Sequence, residues 1–363
     1  MAEQIKRVTA RTDKSGYDIL IGNGVLASIS DYIGQSSTDR VVALVSSRVY
    51  ELHGEYINRA LGKVHHCDCM LVDDSEENKN YHYAEHFLQR FLDAGLTRKS
   101  MVIAIGGGVV GDFAGFCAAL YMRGIPLIHV PTTLLAMVDS SIGGKVAVNL
   151  HAGKNIAGAF HQPFMVLSDL SFLRTLDNVD IRNGLTEALK HGLIGEAGTL
   201  RLLEQNDYGS IMTENSIFEL ICLSVIFKSS IVQEDEREGG IRAILNFGHT
   251  IGHAIESLMG YKNISHGQAV AVGMRAEMNI SEAQGLLPES DMRRAHDLFN
   301  AYGLSETMLS LDPDDIIEHL KFDKKITSGR SNFVLLNGIG NALINQHVED
   351  GTVREVLSRF CKT

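Results

Sequence analysis

Apolar and polar positions follow two different patterns in the first 130 residues. Short, wholly apolar runs are typical of strands buried on both faces of a parallel sheet, and they occur at residues 41–45, 70–72, 101–105 and 127–130. Between them, apolar residues recur every three or four positions, which predicts amphipathic helices at residues 49–61, 83–94 and 110–120. Strands that alternate with helices in this way predict an open α/β sheet.

After about residue 175 the helical pattern dominates, with apolar residues at every third or fourth position. It predicts helices at residues 181–194, 216–234, 246–259, 269–283, 290–301 and 313–320, the last with Asp312 as its amino-terminal cap. A chain of 363 residues also exceeds the roughly 250 to 300 residues at which a single hydrophobic core stops growing. We therefore expect two domains, an α/β domain of residues 1–175 and a mostly helical domain of residues 176–363.

Composition excludes some classes of protein. The net charge of -11 disfavours nucleic-acid binding, which needs a basic face, although a few basic residues in one site would still bind a small anionic substrate. The five cysteines are scattered and odd in number, which indicates reduced thiols. The amino terminus lacks the apolar core of a signal peptide, and no run approaches about 18 apolar residues. We expect a cytoplasmic protein without a membrane or nucleic-acid partner.

A glycine turn follows the predicted strand at 101–105. Gly106, Gly108 and Gly111 fit the pattern G-x-G-x-x-G, in which backbone amides approach a pyrophosphate at the start of a helix. The turn is not in the first strand–helix unit, and no acid lies about twenty residues further on to bind a ribose. The pattern therefore predicts either a nucleotide site of variant form or a tight turn required by packing.

Small and basic residues are concentrated immediately afterwards. Residues 131–145 and the sequence Gly153-Lys154-Asn155 combine hydroxyls, glycine amides and lysines, which are donors suited to phosphate. Lysines near glycines are also common on ordinary surfaces. The stretch favours an anion site without requiring one.

The helix predicted at 246–259 carries possible metal ligands. His249, His253 and Glu256 are spaced by four and three residues, so they share one face of a helix. Such a face serves a metal site or acid–base chemistry, or it belongs to a buried helix whose histidines only satisfy hydrogen bonds.

Two other places could complete such a site. Glu187 and Lys190 are one helical turn apart, and His266 begins another predicted helix. One carboxylate and two histidines form a common catalytic zinc set that leaves room for water or substrate. Residue chemistry alone does not choose between His249 and His253 as a ligand.

These motifs together resemble the 3-dehydroquinate synthase family over nearly the whole chain. The matching segments are residues 106–112, 123–125, 130–133, 138–145, 153–155, 235–238, 245–250 and 323–325, together with Glu187 and Lys190. The resemblance implies a Rossmann-like NAD-binding α/β domain, a mostly α-helical metal-binding domain, and a homodimer.

The resemblance also implies an activity. The substrate would be 3-deoxy-D-arabino-heptulosonate 7-phosphate, which is transiently oxidised by NAD, loses phosphate, is reduced again and closes by an intramolecular aldol reaction. The product would be 3-dehydroquinate, and the enzyme would be a phosphorus–oxygen lyase of the shikimate pathway, which serves aromatic amino acid biosynthesis. The implied cofactors are NAD and a divalent metal ion, zinc or cobalt.

Site residues follow from the same resemblance. The metal ligands would be Glu187, His249 and His266, with His253 facing the substrate. The NAD-binding residues would be Glu76, Lys79, Gly107, Gly108, Val109, Asp112, Thr132, Thr133, Asp139, Lys145, Lys154, Phe172 and Thr175. The catalytic residues would be Lys145, Asn155, Lys190, Arg242 and His253, and the further substrate-binding residues Arg123, Lys228, Asn246, Lys324 and Lys325. Arg123 would reach the substrate phosphate from the neighbouring subunit.

The chain departs from the family pattern at a few positions. Ser46 and Arg48 stand where an acid or amide often contacts the adenosine ribose, Met137 stands where glutamine is frequent, and Asp177 replaces a common proline. No central catalytic residue is missing.

Three rival functions are open at this point. Another sugar-phosphate cyclase, such as 2-deoxy-scyllo-inosose synthase, would share NAD and metal but use a substrate without a carboxylate; Arg242 with Lys228 favours the keto-acid phosphate. A metal-dependent alcohol or glycerol dehydrogenase would release NADH instead of recycling it. A nucleotide-binding module without enzymatic activity would not depend on the metal ligands.

Overall fold

A computed structural model describes residues 4–12, 16–151, 153–305, 308–327 and 333–361, without the side chains of residues 322–327. The chain forms two compact units. The first consists of Met1–Ile181 and Lys228–Glu236, and the second of Arg182–Phe227 and Arg237–Thr363.

The described part of the first unit contains nine strands and four helices that lie wholly within it. The strands are β1 (Lys6–Arg11), β2 (Gly16–Gly22), β3 (Val41–Ser46), β4 (Cys67–Val72), β5 (Met101–Gly106), β6 (Leu127–Pro131), β7 (Lys145–Leu150), β8 (Gly153–Phe160) and β9 (Met165–Asp169). The helices are α1 (Ile29–Gly34), α2 (Ser47–Leu61), α3 (Tyr81–Asp93) and α4 (Gly108–Leu120). All four strands and three helices predicted for this part of the chain are confirmed.

Seven of these strands form one sheet in the order β1-β2-β9-β6-β5-β3-β4. Only the β1–β2 pair is antiparallel, and β3 and β5 are buried at every residue, as their apolar sequences require. The chain runs from β3 outward to β4 and then returns to β5 on the other side of β3. The carboxyl ends of β3 and β5 therefore flank a topological switch point, where open α/β sheets bind their ligands.

Two helices of this unit, α2 and α3, start at side-chain caps. Ser46 and Asn80 accept hydrogen bonds from the backbone amides of Val49 and Tyr83, which begins α2 and α3. Phe87 and Phe113 pack edge to face, with ring centroids 5.4 Å apart, in the core between α3, α4 and the sheet.

The second unit is mostly helical, as the sequence predicts. Its elements are α5 (Asn178–Ile194), α6 (Ala197–Glu204), α7 (Tyr208–Ile211), α8 (Glu214–Glu234), α9 (His249–Leu258), α10 (His266–Ala283), α11 (Glu289–Ala301), α12 (Pro313–Thr327), β10 (Phe333–Leu336), β11 (Ala342–Gln346) and α13 (Asp350–Leu357). The first residues of α5 and the last of α8 belong to the first unit. The cap predicted at Asp312 is confirmed, because Oδ1 accepts a hydrogen bond from the amide of Asp314.

Two predicted helix boundaries are clearly wrong: α12 continues to Thr327 instead of ending at residue 320, and another helix starts later than predicted. The helix expected at 246–259 begins only at His249, after a 3-10 helix at Ile241–Asn246. Gly248 separates the two with a φ of 79°, a left-handed conformation that favours glycine. Its amide donates to Oε2 of Glu277 at 2.7 Å. The turn therefore depends on a partner residue on another helix, which local periodicity does not reveal.

Helix α8 is the one described helix that is long and apolar enough to cross a membrane. Within its most apolar window, 56% is buried inside the protein. Core helices of soluble proteins also meet this length and hydropathy criterion.

Candidate active site

Three side chains with metal-binding chemistry converge in the second unit. Glu187 lies on α5 with no exposed surface, whereas His249 and His266 are the first residues of α9 and α10. The Nε2 atoms of the two histidines lie 3.7 Å and 3.6 Å from Oε1 of Glu187. One ligand atom from each residue lies within 4.8 Å of the others. This donor set suits a catalytic zinc site with positions left for substrate.

The electrostatics of this cluster favour a cation. Lys190 forms a close, buried ion pair with Oε2 of Glu187. Burial lowers the pKa of His249 well below its usual value, and the positive charge of Lys190 lowers it further. Burial also opposes protonation of His266, but hydrogen bonds to Glu187 and Glu256 outweigh it and raise its pKa to about 9. A divalent ion can replace that proton, since metal ligands bind in their deprotonated form.

His253 lies outside the group formed by Glu187, His249 and His266. It is exposed, and its ring is perpendicular to that of His249, with centroids 5.2 Å apart. It shares a second possible metal-binding group with Glu256 and His266. Of the two histidines that the sequence left open, His249 is therefore the one next to Glu187.

The other predicted residues of the second unit have different surroundings. Arg242 is only 2% exposed in the 3-10 helix at Ile241–Asn246. Asn246 donates from Nδ2 to Oε1 of Glu238 at 2.8 Å. Lys324 and Lys325 lie in α12, but their side chains are outside the described part of the structure.

The glycine turn of the first unit lies at the carboxyl end of β5, beside the switch point of the sheet. Gly107 precedes α4 and no side chain caps the helix, which leaves its first amides pointing towards a possible anion. A Cβ on Gly107 would lie 3.0 Å from Cγ2 of Thr133, and one on Gly108 3.1 Å from Oγ of Ser140. Val109 continues the same turn of the helix. The sheet topology explains why the turn occurs in a later strand–helix unit.

Five predicted residues meet beside this turn. Lys79 forms an ion pair with Asp112 and donates to Oδ1 of Asn155 at 2.6 Å. Asn149 joins this group to Glu76, because its Nδ2 donates to Oε1 of Glu76 at 2.7 Å and its Oδ1 accepts from the amide of Asn155 at 2.9 Å. Lys154 Nζ lies 3.6 Å from Oε2 of Glu76. The β7–β8 hairpin thus brings Lys154 and Asn155 to the segment that follows β4.

The remaining residues that are expected to bind NAD follow β6 and β9 in the chain. Thr132 is buried, and its hydroxyl makes no hydrogen bond within the described residues. Thr133 accepts a hydrogen bond from the amide of Ala136 at 3.2 Å. Phe172 and Thr175 lie in a 3-10 helix directly after β9, and Thr175 shares a hydrogen bond with His53. The unsatisfied hydroxyl of Thr132 fits a polar ligand at the turn.

The positions that depart from the family pattern are engaged within the first unit. Ser46 donates to Asp74 at 2.6 Å while capping α2. Arg48 forms ion pairs with Asp177 at 3.1 Å and with Asp180 at 3.7 Å. A proline at position 177 could not form the ion pair that Asp177 forms with Arg48.

Three predicted basic residues remain: Lys228 forms an ion pair, whereas Lys145 and Arg123 are exposed. Lys228 donates to the backbone oxygen of Asp139 at 2.8 Å, and its Nζ lies 2.7 Å from the Asp139 carboxylate. Lys145 is exposed at the start of β7. Arg123 is exposed in a turn with a φ of 70°.

Sequence reasoning missed Asn149 and Glu277. Asn149 ends an apolar strand segment, and only its pairing with residues more than 70 positions away shows its role. Glu277 is a fully buried acid in α10, and the residues four before and three after it, Gly273 and Ile280, are buried and not charged. A charged residue at an apolar helix position was the available signal for Glu277.

Two family models match consecutive parts of the chain. The model described as 3-dehydroquinate synthase N-terminal matches residues 69–183, and the one described as 3-dehydroquinate synthase C-terminal matches residues 184–326. The chain is 44% identical over 315 residues to a 3-dehydroquinate synthase of Thermoanaerobacter pseudethanolicus, covering 86% of this chain and 88% of that one. It is 39% identical over 363 residues to a 3-dehydroquinate synthase of Caulobacter vibrioides, covering 97% and 98%.

Solved structures give a consistent result. The fold is similar to that of 2-deoxy-scyllo-inosose synthase complexed with carbaglucose-6-phosphate, NAD+ and Co2+, with a TM-score of 0.90 and 29% identity over 98% of this chain and 100% of that one. It is also similar to 2-epi-5-epi-valiolone synthase from Streptomyces hygroscopicus with NAD+ and Zn2+ bound, with a TM-score of 0.87 and 28% identity over 98% and 99% of the chains. An iron-containing alcohol dehydrogenase shares the fold alone, with a TM-score of 0.70 and 14% identity over 97% and 98%.

Proposed function

Because the chain belongs to the 3-dehydroquinate synthase family, we propose that it converts 3-deoxy-D-arabino-heptulosonate 7-phosphate into 3-dehydroquinate and phosphate. It is an enzyme of the phosphorus–oxygen lyase class, and its reaction belongs to the shikimate pathway of aromatic amino acid biosynthesis. The observation that carries the proposal is the convergence of Glu187, His249 and His266 in a chain whose relatives at 39% to 44% identity are 3-dehydroquinate synthases.

The enzyme uses a divalent metal ion, zinc or cobalt, as its solved relatives do. We assign its ligands to Glu187, His249 and His266. A fully buried carboxylate beside two Nε2 atoms supports this set, because one carboxylate and two imidazoles are a donor set that catalytic zinc ions bind. When bound, the ion acts as a Lewis acid that makes a substrate hydroxyl more acidic.

The enzyme also uses NAD, which takes up hydride from the substrate and returns it after phosphate has left. We assign its pyrophosphate to the amides of Gly107, Gly108 and Val109, and its nearby polar contacts to the hydroxyl of Thr132 and to Thr133. The other residues proposed to hold NAD are Glu76, Lys79, Asp112, Asp139, Lys145, Lys154, Phe172 and Thr175. Most of these residues follow the carboxyl ends of β4, β5, β6 and β9 in one sheet, and Lys145 and Lys154 lie on the β7–β8 hairpin, which supports the assignment.

The substrate carries a carboxylate and a phosphate, and different residues suit each group. The planar guanidinium of Arg242 suits the carboxylate, together with Lys228. The residues proposed for the phosphate are Arg123, Lys145, Asn155 and Asn246, with Lys324 or Lys325 also in the substrate pocket. Lys190 is fixed beside Glu187, and the exposed imidazole of His253 is suited to proton transfer near neutral pH.

We propose that the protein is a homodimer. Exposed apolar side chains occur at the end of α4 and in the following turn, along β8, and just before β9, where a second copy would bury them: Leu120, Met122, Ile156, Phe160 and Phe164. Arg123 lies in the same turn as Met122, which supports its proposed contact with the partner's substrate. Sedimentation equilibrium tests the dimer.

We also propose a cytoplasmic location without membrane or nucleic-acid partners. All five cysteines are free thiols, and the net charge is -11. Both properties support a reducing compartment and a small-molecule substrate.

Replacing Glu187 with Gln tests the proposed site. The variant keeps the size of the side chain but removes a charged ligand, so metal affinity and phosphate release from the heptulosonate phosphate should fall together by more than about 100-fold. Metal content and activity are measured on the same purified samples. Glu282→Gln removes an exposed carboxylate of α10 and should change neither. Normal metal content and activity in Glu187→Gln would show that the ligand assignment is wrong.

A further inference from the structure

The ring of His266 lies between two buried carboxylates. Its Nε2 atom is 3.6 Å from Oε1 of Glu187, and its Nδ1 atom is 3.3 Å from Oε2 of Glu256. The Glu256 side chain is only 4% exposed, on the inner side of α9. Each ring nitrogen therefore faces a different acid.

The chemistry of imidazole gives these two contacts different roles. A neutral histidine has one N–H donor and one nitrogen lone pair, and a metal ligand must present the lone pair to the ion. A carboxylate that accepts the Nδ1 hydrogen holds the lone pair at Nε2, fixes the orientation of the ring, and makes Nε2 more basic. Glu256 meets this description for His266.

His249 is held at the same ring atom by a weaker acceptor. Its Nδ1 lies 3.2 Å from the backbone oxygen of Phe247, and its Nε2 also faces Glu187. Both histidines of the cluster are thus engaged at Nδ1, so that both Nε2 atoms point to one place. Only His266 has a side chain in this role, and only that contact can be removed by a substitution.

We propose that Glu256 is the positioning residue of the metal site, which holds His266 in the tautomer and orientation that bind the ion. The proposal rests on the metal site assigned above to Glu187, His249 and His266. It adds a residue from α9 that acts through a ligand on α10. Glu256 itself does not coordinate the ion.

The test compares Glu256→Leu and Glu256→Gln with Glu187→Gln and the exposed control Glu282→Gln. Dissociation constants for Zn2+ and Co2+ are measured by competition with a chromophoric chelator, and the ligand-field absorption of bound Co2+ is recorded. Glu256→Leu should weaken binding by about 10- to 100-fold and change the Co2+ spectrum. Glu256→Gln keeps an acceptor for Nδ1 and should lie between Glu256→Leu and the wild type, with a spectrum close to that of the wild type.

Two outcomes would overturn the proposal. Wild-type affinity and spectrum in Glu256→Leu would show that Glu256 does not position His266. Loss of metal as complete as in Glu187→Gln, from both Glu256 variants, would make Glu256 a ligand. If instead Glu187→Gln retains normal metal binding, the metal site assigned above fails, and that failure is distinct.

A second measurement does not depend on how the Glu256 variants fold. In the zinc-loaded wild type, nitrogen-15 NMR of labelled histidines should show His266 with a hydrogen on Nδ1 and the metal on Nε2. His266→Gln identifies its signals. A metal-bound Nδ1 on His266 would contradict the proposal.

Discussion

Glu187 is a carboxylate without exposed surface, and an isolated buried charge of this kind is strongly unfavourable. Its neighbours are Lys190 and the two histidine rings, which together supply positive charge or metal coordination. In the low dielectric of the interior this carboxylate attracts cations strongly. A bound divalent ion would add to the positive charge that Lys190 already supplies to Glu187.

His129 predicts a dependence of stability on pH. Burial in β6, with a contribution from His161, lowers its pKa to about 4, whereas an unfolded histidine has a pKa near 6.5. Between these values the unfolded chain binds a proton that the folded chain does not. The contribution of His129 to the free energy of unfolding is therefore fully present above about pH 6.5. It is lost as the pH drops towards 4, and the loss is about 3 kcal/mol.

His129→Gln removes the imidazole whose protonation in the unfolded chain lowers the stability. Urea unfolding of the metal-free protein, followed by tyrosine fluorescence, should show a smaller loss of stability between pH 7 and pH 4.5 in the variant than in the wild type. The exposed His82→Gln is the matched control and should follow the wild type. Parallel pH profiles for His129→Gln and the wild type would contradict the assignment.

Site residues can be predicted from the sequence when the pattern that identifies them lies within a short stretch of the chain. The spacing of His249 and His253 and the turn that separates Glu187 from Lys190 are visible in the sequence, and resemblance to a family completes the set. The pairings of Asn149 with Glu76 and of Glu277 with Gly248 depend on contacts between distant segments. No local pattern specifies such contacts.

Helices α9 and α10 each begin at a proposed metal ligand, and their crossing fixes the distance between the two histidines. Glycines allow the helices to approach closely: a Cβ on Gly273 would lie 1.9 Å from the backbone oxygen of Gly248. Glu277 of α10 accepts the amide hydrogen of Gly248, directly before His249. The metal site is thus determined by helix packing as well as by ligand chemistry.

Gly248→Ala should disrupt this crossing. Its Cβ would lie 2.4 Å from Cγ of Met274 and 2.7 Å from the Met274 nitrogen, and the backbone has a φ of 79°. We expect a loss of about 3 kcal/mol or more from clash and strain together, with weaker zinc binding. Thermal unfolding and zinc titration measure the two effects.

Gly260→Ala separates strain from clash. Gly260 has a similar φ of 67°, but a Cβ added there would have no neighbouring atom within 4 Å. This control should lose only about 1 kcal/mol and retain zinc affinity. Equal losses in the two variants would show that the close approach of α9 and α10 does not matter for stability.

Among the elements, those with a strong internal pattern could be predicted. Strands β3 and β5 are apolar throughout because both faces are covered, and the long helices carry clear apolar faces. The β7–β8 hairpin was not predicted, since β8 is largely exposed and lies in a segment rich in small residues. Its structure depends on pairing with β7, which the composition of either strand does not reveal.

At the scale of the whole molecule, the chain combines an α/β unit that carries the residues proposed to bind NAD with a mostly helical unit that carries the proposed metal ligands. The change in hydrophobic pattern near residue 175 predicts two domains with a single boundary there. The first compact unit instead extends to Ile181 and also includes Lys228–Glu236, which an apolar helix pattern cannot show. Lys228 forms its ion pair with Asp139 within the first unit.

Arg123 allows a test of the proposed dimer. Arg123→Ala and Glu187→Gln should each be nearly inactive as homodimers. If Arg123 serves the partner's site, a mixed dimer has one complete site, and subunit exchange in equal mixtures should restore about a quarter of wild-type activity. Activity is measured as phosphate release after exchange. No recovery, with mixed dimers verified by mass spectrometry, would place Arg123 in the site of its own subunit or outside any site.

The most direct measurement of the central claim is phosphate release from 3-deoxy-D-arabino-heptulosonate 7-phosphate by the purified enzyme with zinc and a catalytic amount of NAD, while NADH absorbance is followed. The proposed internal redox cycle predicts many turnovers of phosphate release without net NADH, and 3-dehydroquinate as the product. Conversion of the added NAD to NADH without repeated turnovers of phosphate release, or no phosphate release at all, would contradict it.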